Sequence, residues 1–148
     1  MKRPDWDNYF LNIAKEVARR GTCLRRCYGA VIVNGGRIVS AGYNGAPCGT
    51  PNCIDIGTCK REDLGVPQGQ RYDLCRAVHA EMNAIINCDP LAMQGAVLYI
   101  AGIDTKTNEE VVGLPCSLCR GVIRNTGIED VVCRDAEGVI FLNPSELR

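Results

Sequence analysis

Hydrophobic residues recur along the chain at two spacings, and each spacing predicts a different kind of element. Near the N-terminus the apolar positions follow the period of one helix face: Trp6, Phe10, Ile13, Ala14 and Val17. Asp5 or Asp7 can cap this helix, and Gly21 ends it. We therefore expect an N-terminal helix that covers one face of a sheet.

The next apolar residues form β-branched runs at 28–33 and 37–43, on either side of Asn34-Gly35-Gly36. This arrangement predicts a β-hairpin. From residue 44 to residue 70 the chain has five glycines, three prolines and no lasting periodicity, which predicts a long loop. A loop of that length needs a reason to be ordered.

Five further helices and strands are predicted in the second half of the chain. A helix should begin near Val78 and end at Cys88, before Asp89-Pro90. A polar segment, 102–113, separates the strand that follows from the helix at 116–125. Gly127 is expected to end that helix. The remaining predicted elements are a strand at 96–101, a helix at 116–125, and strands at 128–133 and 139–142.

The element order β-β-α-β-α-β-β predicts an α/β fold, with a five-stranded mixed sheet and helices on both faces. With 148 residues, 46% of them hydrophobic, the chain is most simply one domain, residues 1–148. A domain of this size buries about 70% of its unfolded surface.

Charge narrows the range of partners. Seventeen basic and seventeen acidic residues cancel, and no block of like charge appears, so the chain lacks the footprint of a general nucleic-acid binder. A small-molecule substrate fits better than a polymer. Lys2 and Arg3 precede acidic and polar residues instead of an apolar run, so we expect no signal peptide, no membrane span and a cytoplasmic location.

The chemistry concentrates at two short motifs. The only histidine, His79, is followed two positions later by Glu81, and Pro115-Cys116-Ser117-Leu118-Cys119 lies further on. Imidazole nitrogen and thiolate sulfur are ligands that Zn²⁺ prefers, and three protein ligands leave one tetrahedral position open for water. His79, Cys116 and Cys119 are thus candidate catalytic zinc ligands.

Glu81 is not expected to be a fourth ligand, because residues two apart in mid-helix point to roughly opposite sides of the helix. It is instead the candidate catalytic residue. We therefore place His79 and Glu81 in the first turn of the helix, where Glu81 can sit beside the bound water and carry protons. Cys116 and Cys119, just after Pro115, open a second helix whose positive end favours their thiolate forms.

Each motif alone has an ordinary explanation. A single histidine at a helix start is usually a surface or satisfied core residue, and Cys-x-x-Cys can be half of a structural zinc site or a redox pair. The two motifs in this order, with Glu81 and Pro115 in place, favour the catalytic interpretation.

These residues match the His-x-Glu and Pro-Cys-x-x-Cys pattern of zinc-dependent base deaminases. With residues 29–33, 42–47 and 74–86, the chain resembles the cytidine/deoxycytidylate deaminase family, and within it the deoxycytidylate (dCMP) deaminases. The resemblance implies the three-layer α/β/α fold of cytidine deaminases. It also implies hydrolytic attack at C4 of cytosine, with Glu81 protonating N3 and the departing amine, so that dCMP gives dUMP and ammonia for dTTP synthesis. Members commonly lack a segment as long as 102–113.

The resemblance also implies partners that composition does not reveal. Relatives in this subgroup form homo-oligomers, including hexamers, and are regulated by dCTP and dTTP. For the substrate, Asn44 resembles the family asparagine that binds the sugar, and the Ala80 backbone would face the base edge. The alternative for Asn44 is an ordinary Asn-Gly turn. Arg25 and Arg26 are candidates for the phosphate, because a guanidinium fork suits its oxygens, although either could be merely solvated.

Ten cysteines in a cytosolic chain are more often metal ligands or small buried groups than a disulfide scaffold. Four of them resemble a second, structural zinc site of some dCMP deaminases: Cys23, Cys53, Cys59 and Cys75. Such a Cys₄ site would order the 44–70 loop. Cys27 or Cys48 could substitute, or the thiols could be unliganded, whereas Cys88 and Cys133 lie in apolar segments and are expected to be core residues.

Three other functions compete with dCMP deamination. The enzyme could act on another free cytosine nucleoside, nucleotide or base, or the chain could be a zinc-stabilised interaction module without activity. Glu81 argues against the module, since a structural site has no use for a proton-carrying carboxylate. The charge balance disfavours editing of nucleic acid.

Overall fold

The computed structural model describes residues 1–147. The helices are α1 Trp6–Ala18, α2 Cys53–Ile56, α3 Lys60–Asp63, α4 Ala80–Ile86 and α5 Ser117–Arg124. The strands are β1 Arg26–Asn34, β2 Arg37–Tyr43, β3 Val97–Asp104, β4 Glu110–Val112, β5 Asp130–Asp135 and β6 Gly138–Leu142. Short 3₁₀ turns lie at Tyr72–Leu74, Pro90–Met93 and Pro144–Glu146. Within residues 1–147, no helix is both long and apolar enough to cross a membrane.

The strands form one mixed sheet in the order β2-β1-β3-β5-β6, with β4 added beside β3. All neighbouring pairs are antiparallel except β3 and β5, which are parallel. A parallel pair requires a crossover connection, and α5 supplies it. The five predicted strands are present, so the expected α/β architecture with a mixed sheet is confirmed.

Helix α1 covers one face of the sheet. The Asp5 carboxylate accepts a hydrogen bond from the Asn8 backbone N–H at 2.8 Å, so Asp5 is the cap. The buried side chains of α1 pack on Val31, Tyr99 and Val132 of the sheet. Trp6 departs from the predicted apolar face: it is 69% exposed and stacks on its neighbour Phe10.

Helices α4 and α5 pack on the opposite face, which completes the three layers. Helix α4 lies directly against β2 at Gly42, where a Cβ atom would come within 2.4 Å of the Ala84 nitrogen and 2.7 Å of the Ala80 carbonyl oxygen. Glycine is needed there because backbone meets backbone. This contact sets how closely α4 packs on the sheet, and it therefore also sets the position of the His79–Glu81 turn.

The polar segment 102–113 contains a sixth strand that the sequence did not predict. Strand β3 continues to Asp104, and the chain turns back into β4, which pairs Ala101 with Val112. The Arg134 guanidinium donates to both carboxylate oxygens of Glu110, at 2.6 Å and 2.8 Å, and so ties β4 to β5. The Thr105 N–H donates to the Arg25 carbonyl at 3.0 Å, so this hairpin braces the segment that leads into β1.

The 44–70 segment is a long connection, as predicted, but it contains the one-turn helices α2 and α3. The Asp55 carboxylate accepts from the Asn52 backbone N–H at 3.0 Å, and Gly57 ends α2 in the left-handed conformation, with φ of 87°. The Arg76 guanidinium donates to the Thr58 carbonyl at 3.0 Å, which joins this connection to the segment before α4.

Candidate active site

His79 and Glu81 occupy the first turn of α4, as predicted. His79 is the N-cap, with extended backbone (φ −70°, ψ 153°), and Glu81 is the second helical residue. Just before them, Val78 and Gly45 exchange two backbone hydrogen bonds of 2.7 Å and 3.1 Å. This bridge anchors the start of α4 to the chain leaving β2. Both functional side chains therefore project from a turn whose backbone is held on two sides.

Cys116 and Cys119 occupy the first turn of α5. Cys116 is the N-cap, also extended (φ −73°, ψ 171°), and Cys119 lies three residues later. Cys119 is fully buried, whereas Cys116 is partly exposed. Two helix N-termini thus converge, as the sequence predicted, and their aligned N–H groups favour anionic sulfur.

The three candidate ligands form one compact donor set. The His79 Nδ1 atom lies 3.2 Å from Cys116 Sγ and 3.3 Å from Cys119 Sγ. All three donor atoms lie within 4.8 Å of one another. In a tetrahedral zinc site, Zn–N and Zn–S bond lengths place nitrogen and sulfur about 3.5 Å apart. The observed distances agree with that separation, so the donor set fits zinc in number, type and spacing.

The three donor groups lie close enough together to shift one another's pKa. Hydrogen bonds with Cys119 and His79 lower the pKa of Cys116 to about 4. The Cys116 and Cys75 side chains raise the pKa of His79 to about 10. The pKa of Cys119 is raised, first by its hydrogen bond with Cys116 and then by burial. Because two neighbouring thiolates repel each other, a cation between Cys116 and Cys119 would favour the anionic form of both.

Glu81 lies beside this donor set but is not part of it. It is 6% exposed, and burial raises the pKa of its carboxyl group, an effect that the nearby Cys119 and His79 partly offset. A buried carboxyl with a raised pKa is suited to accept and return a proton near neutral pH.

A cavity of about 140 Å³, open to solvent, lies in front of these residues. Eleven of the twelve residues singled out in the sequence line it, and only Cys119 does not. Cys119 lies behind Cys116 and is fully buried. Segments from four parts of the chain therefore meet at one site.

The four cysteines of the second candidate set all line this cavity, but their sulfur atoms are not grouped as closely as the donor atoms of the first set. Cys23 and Cys75 are close enough to Cys53 for their charges to act on its pKa, which burial raises. Within residues 1–147, the donors of His79, Cys116 and Cys119 are the only set of three or more within 4.8 Å of one another. The second zinc site stays a prediction. The substitutes Cys27 and Cys48 do not line the cavity.

Asn44 and Ala80 are both buried in the cavity wall. The Asn44 carbonyl accepts from the Tyr28 N–H at 2.8 Å, and its amide donates to the Arg26 carbonyl at 3.1 Å. These bonds hold Asn44 against β1, so it is not part of a free Asn-Gly turn. The side-chain amide has two N–H groups, so the second could bind a ligand in the cavity.

The two candidate phosphate ligands differ in what they contact. The Arg25 guanidinium is 3.1 Å from a Glu62 carboxylate oxygen, so it already has an anionic partner. Arg26 is exposed and lies close enough to the Tyr28 hydroxyl to influence its pKa. Neither assignment is tested by the geometry.

Arg61 and Tyr72 are among the residues of the cavity wall that sequence reasoning missed. The Arg61 guanidinium lies over the Tyr72 ring, 4.4 Å from its centroid, and Tyr72 meets the His79 ring edge to face at 5.3 Å. Both residues come from a polar stretch without periodicity, so no local pattern distinguished them from solvated loop residues.

Comparisons with known proteins agree with this arrangement. The family profile for the cytidine and deoxycytidylate deaminase zinc-binding region matches residues 4–135. The deoxycytidylate deaminase of Mycobacterium phage D29 is 44% identical over 137 residues, which cover 89% of this chain and 96% of that protein. The deoxycytidylate deaminase of Schizosaccharomyces pombe is 37% identical over 131 residues, but this chain spans only 37% of its length.

Solved structures support the fold. The dCMP deaminase of cyanophage S-TIM5, solved with dCMP and dUMP, matches with a TM-score of 0.60 at 23% identity, over 88% of this chain and 82% of that one. Cytidine deaminase from Burkholderia pseudomallei also gives a TM-score of 0.60, at 16% identity, over 95% and 94% of the two chains. On profile, relatives and fold together, the chain belongs to the cytidine and deoxycytidylate deaminase family.

Proposed function

We propose that this protein converts dCMP to dUMP by zinc-dependent hydrolysis, which supplies the pyrimidine deoxynucleotide needed for dTTP. The observation that carries the proposal is its 44% identity with the phage D29 deoxycytidylate deaminase across 96% of that protein. The site chemistry supports the same reaction. Water adds at C4 of cytosine, the bond from C4 to the exocyclic nitrogen breaks, and ammonia leaves, so no oxidant or reductant is needed.

Each residue of the site has a role in this reaction. His79, Cys116 and Cys119 would hold the zinc ion, which, when bound, supplies the Lewis acidity that makes hydroxide available near neutral pH. Glu81 would pass the proton of the attacking water to N3, and would then move the remaining proton of the new C4 hydroxyl to the departing amine. The Ala80 backbone would face the base edge, and the spare Asn44 amide N–H would bind the sugar.

Ammonia release tests the proposal directly. The purified protein is expected to release ammonia fastest from dCMP when offered dCMP, CMP, dCTP, deoxycytidine and cytosine at equal concentration. A clear preference for deoxycytidine or cytosine would identify a nucleoside or base deaminase instead. No release from any of them, with zinc bound, would favour an interaction module.

The second zinc site remains part of our proposal. Cys23, Cys53, Cys59 and Cys75 line one wall of the cavity, and Cys59 is the residue from which α3 begins. An ion held by these thiolates would tie the 44–70 connection to the segment before His79. Metal affinity would then replace the hydrophobic packing that this polar segment lacks.

Metal analysis distinguishes one zinc from two. The wild-type protein is expected to contain two zinc ions per chain, and Cys59→Ser only one, with the catalytic ion retained. Cys48→Ser is the control, because Cys48 is exposed and lies outside the cavity. One zinc in the wild-type protein would rule out the second site.

We further propose a cytoplasmic, homo-oligomeric enzyme regulated by dCTP and dTTP. All ten cysteines are free thiols, which suits a reducing compartment. Adding either triphosphate to the ammonia assay, and measuring the mass of the assembly in solution, tests regulation and oligomeric state separately.

A further inference from the structure

Arg61 is buried to a degree that is unusual for an arginine in a polar connection. Arg61 is 7% exposed, although its neighbours Lys60 and Glu62 are both exposed. Arginine is rarely buried unless it is paired, because desolvating an unpaired charge is costly. Its burial therefore needs a reason.

Part of the guanidinium is satisfied and part is not. The Nε atom donates to the Gln70 carbonyl at 2.9 Å, and the guanidinium plane lies over the Tyr72 ring. The Nη2 atom is buried and has no hydrogen-bond partner. A buried donor left unsatisfied costs about 1–3 kcal/mol, and more when the group is charged.

Two nearby acidic groups are already paired with other arginines. Glu62 pairs with Arg25 at 3.1 Å, and Asp73 pairs with Arg71 at 2.9 Å. No ion pair to Arg61 is present among residues 1–147. Arg61 lines the same cavity as His79 and Glu81, so a ligand in that cavity can approach its guanidinium.

The position of Arg61 relative to the metal ligands indicates which part of a ligand it meets. Arg61 contacts Tyr72, and Tyr72 contacts His79, so the guanidinium lies two ring contacts away from the imidazole. A nucleotide whose cytosine ring reacts beside His79 places its phosphate away from the imidazole, and Arg61 is a cation of the cavity wall that these two contacts separate from His79. A guanidinium is the side chain best suited to bind phosphate oxygens in two places.

We propose that Arg61 binds the 5′-phosphate of the substrate and thereby makes the enzyme prefer a nucleotide to a nucleoside. The inference rests on the proposed deamination of dCMP and names the residue that would select it. It assigns the main phosphate contact to Arg61 in place of Arg25, which is paired with Glu62, and Arg26, which is exposed at the cavity rim.

The test compares dCMP with deoxycytidine for the wild-type protein, Arg61→Ala, Arg61→Lys and Lys60→Ala. Arg61→Ala is expected to lower kcat/KM for dCMP by about 10- to 100-fold, the usual value of a charge-assisted hydrogen bond, and to leave deoxycytidine turnover unchanged. Arg61→Lys should recover part of the loss, since lysine restores the charge but not the fork. Lys60→Ala, an exposed cation on the same helix, should change neither value.

Binding of dUMP and deoxyuridine, measured by calorimetry, gives a second readout that does not depend on turnover. The ratio of the dUMP affinity to the deoxyuridine affinity should fall in Arg61→Ala by about the factor expected for kcat/KM with dCMP. Equal losses for nucleotide and nucleoside, or no loss for either, would overturn the proposal and leave Arg61 a structural residue. If Arg61→Ala does not fold, the same ratios in Arg61→Lys decide the question.

The result also separates this inference from the proposed function. A wild-type protein that prefers deoxycytidine to dCMP contradicts the proposed substrate. A wild-type protein that prefers dCMP, with the preference intact in Arg61→Ala, contradicts only the role of Arg61.

Discussion

Replacing Glu81 by glutamine is expected to slow dCMP turnover by about 10²- to 10⁴-fold, the contribution typical of a positioned general acid–base group. Glutamine has nearly the same shape but cannot carry a proton between water, N3 and the amine. Because Glu81 is not one of the three donors, zinc content should stay at the wild-type value. The measurements are kcat from ammonia release and metal content by mass spectrometry.

The fold should tolerate this change. Burial disfavours the ionised form of Glu81, so a neutral side chain of the same size should not lower the thermal midpoint. Glu16→Gln, at an exposed carboxylate on α1, is the matched control and should leave activity and midpoint unchanged. Turnover at the wild-type rate in Glu81→Gln would remove this residue from the mechanism.

Replacing Cys119 by serine is expected to remove the catalytic zinc and, with it, at least about a thousandfold of activity, since Lewis-acid assistance contributes several kcal/mol to the barrier. Cys119 lies 3.3 Å from His79 Nδ1 and is fully buried, so no solvent-exposed group can replace it as a ligand. The measurements are zinc content after gel filtration and ammonia release.

Cys133→Ser is the control for this experiment because Cys133 is just as buried but lies on β5, outside the donor set. A hydroxyl without a partner costs about 1–3 kcal/mol in a protein core, so both variants should lose stability. Only Cys119→Ser should lose zinc. Retention of zinc and activity in Cys119→Ser would contradict the assignment of the ligands.

The residues of the metal centre could be predicted from the sequence because their geometry is local. His79 and Glu81 are two residues apart, and Cys116 and Cys119 three apart, and each pair belongs to one helix turn. The rules for helix starts therefore place each pair without knowledge of the rest of the fold. The positions found for all four agree with that reasoning.

The strand β4 and the short helices α2 and α3 were not predicted. Strand β4 has only three residues, and its stability depends on pairing with β3 and on the Arg134–Glu110 contact, whose members are 24 residues apart. The one-turn helices have too few residues for a hydrophobic period to appear. Each forms because of contacts that a short window of sequence does not contain.

Arg61 shows the same limit at the functional site. In the sequence it is one cation in the polar stretch Lys60–Asp63, indistinguishable from a solvated residue. Its burial against Tyr72, and its unsatisfied Nη2, arise only when the chain around it folds. A residue whose role depends on such contacts has no sequence motif of its own.

The sequence by itself indicated the candidate chemistry of this protein: which atoms form the proposed metal-donor set, which carboxyl group is proposed to carry protons, and the order of the longer helices and strands. These follow from residue type and from spacings within a single turn or strand. Only the tertiary structure decided which segments meet at the cavity and which arginine of its wall is buried with an unpaired nitrogen. Those outcomes depend on contacts between residues far apart in the chain, and local preferences do not specify them.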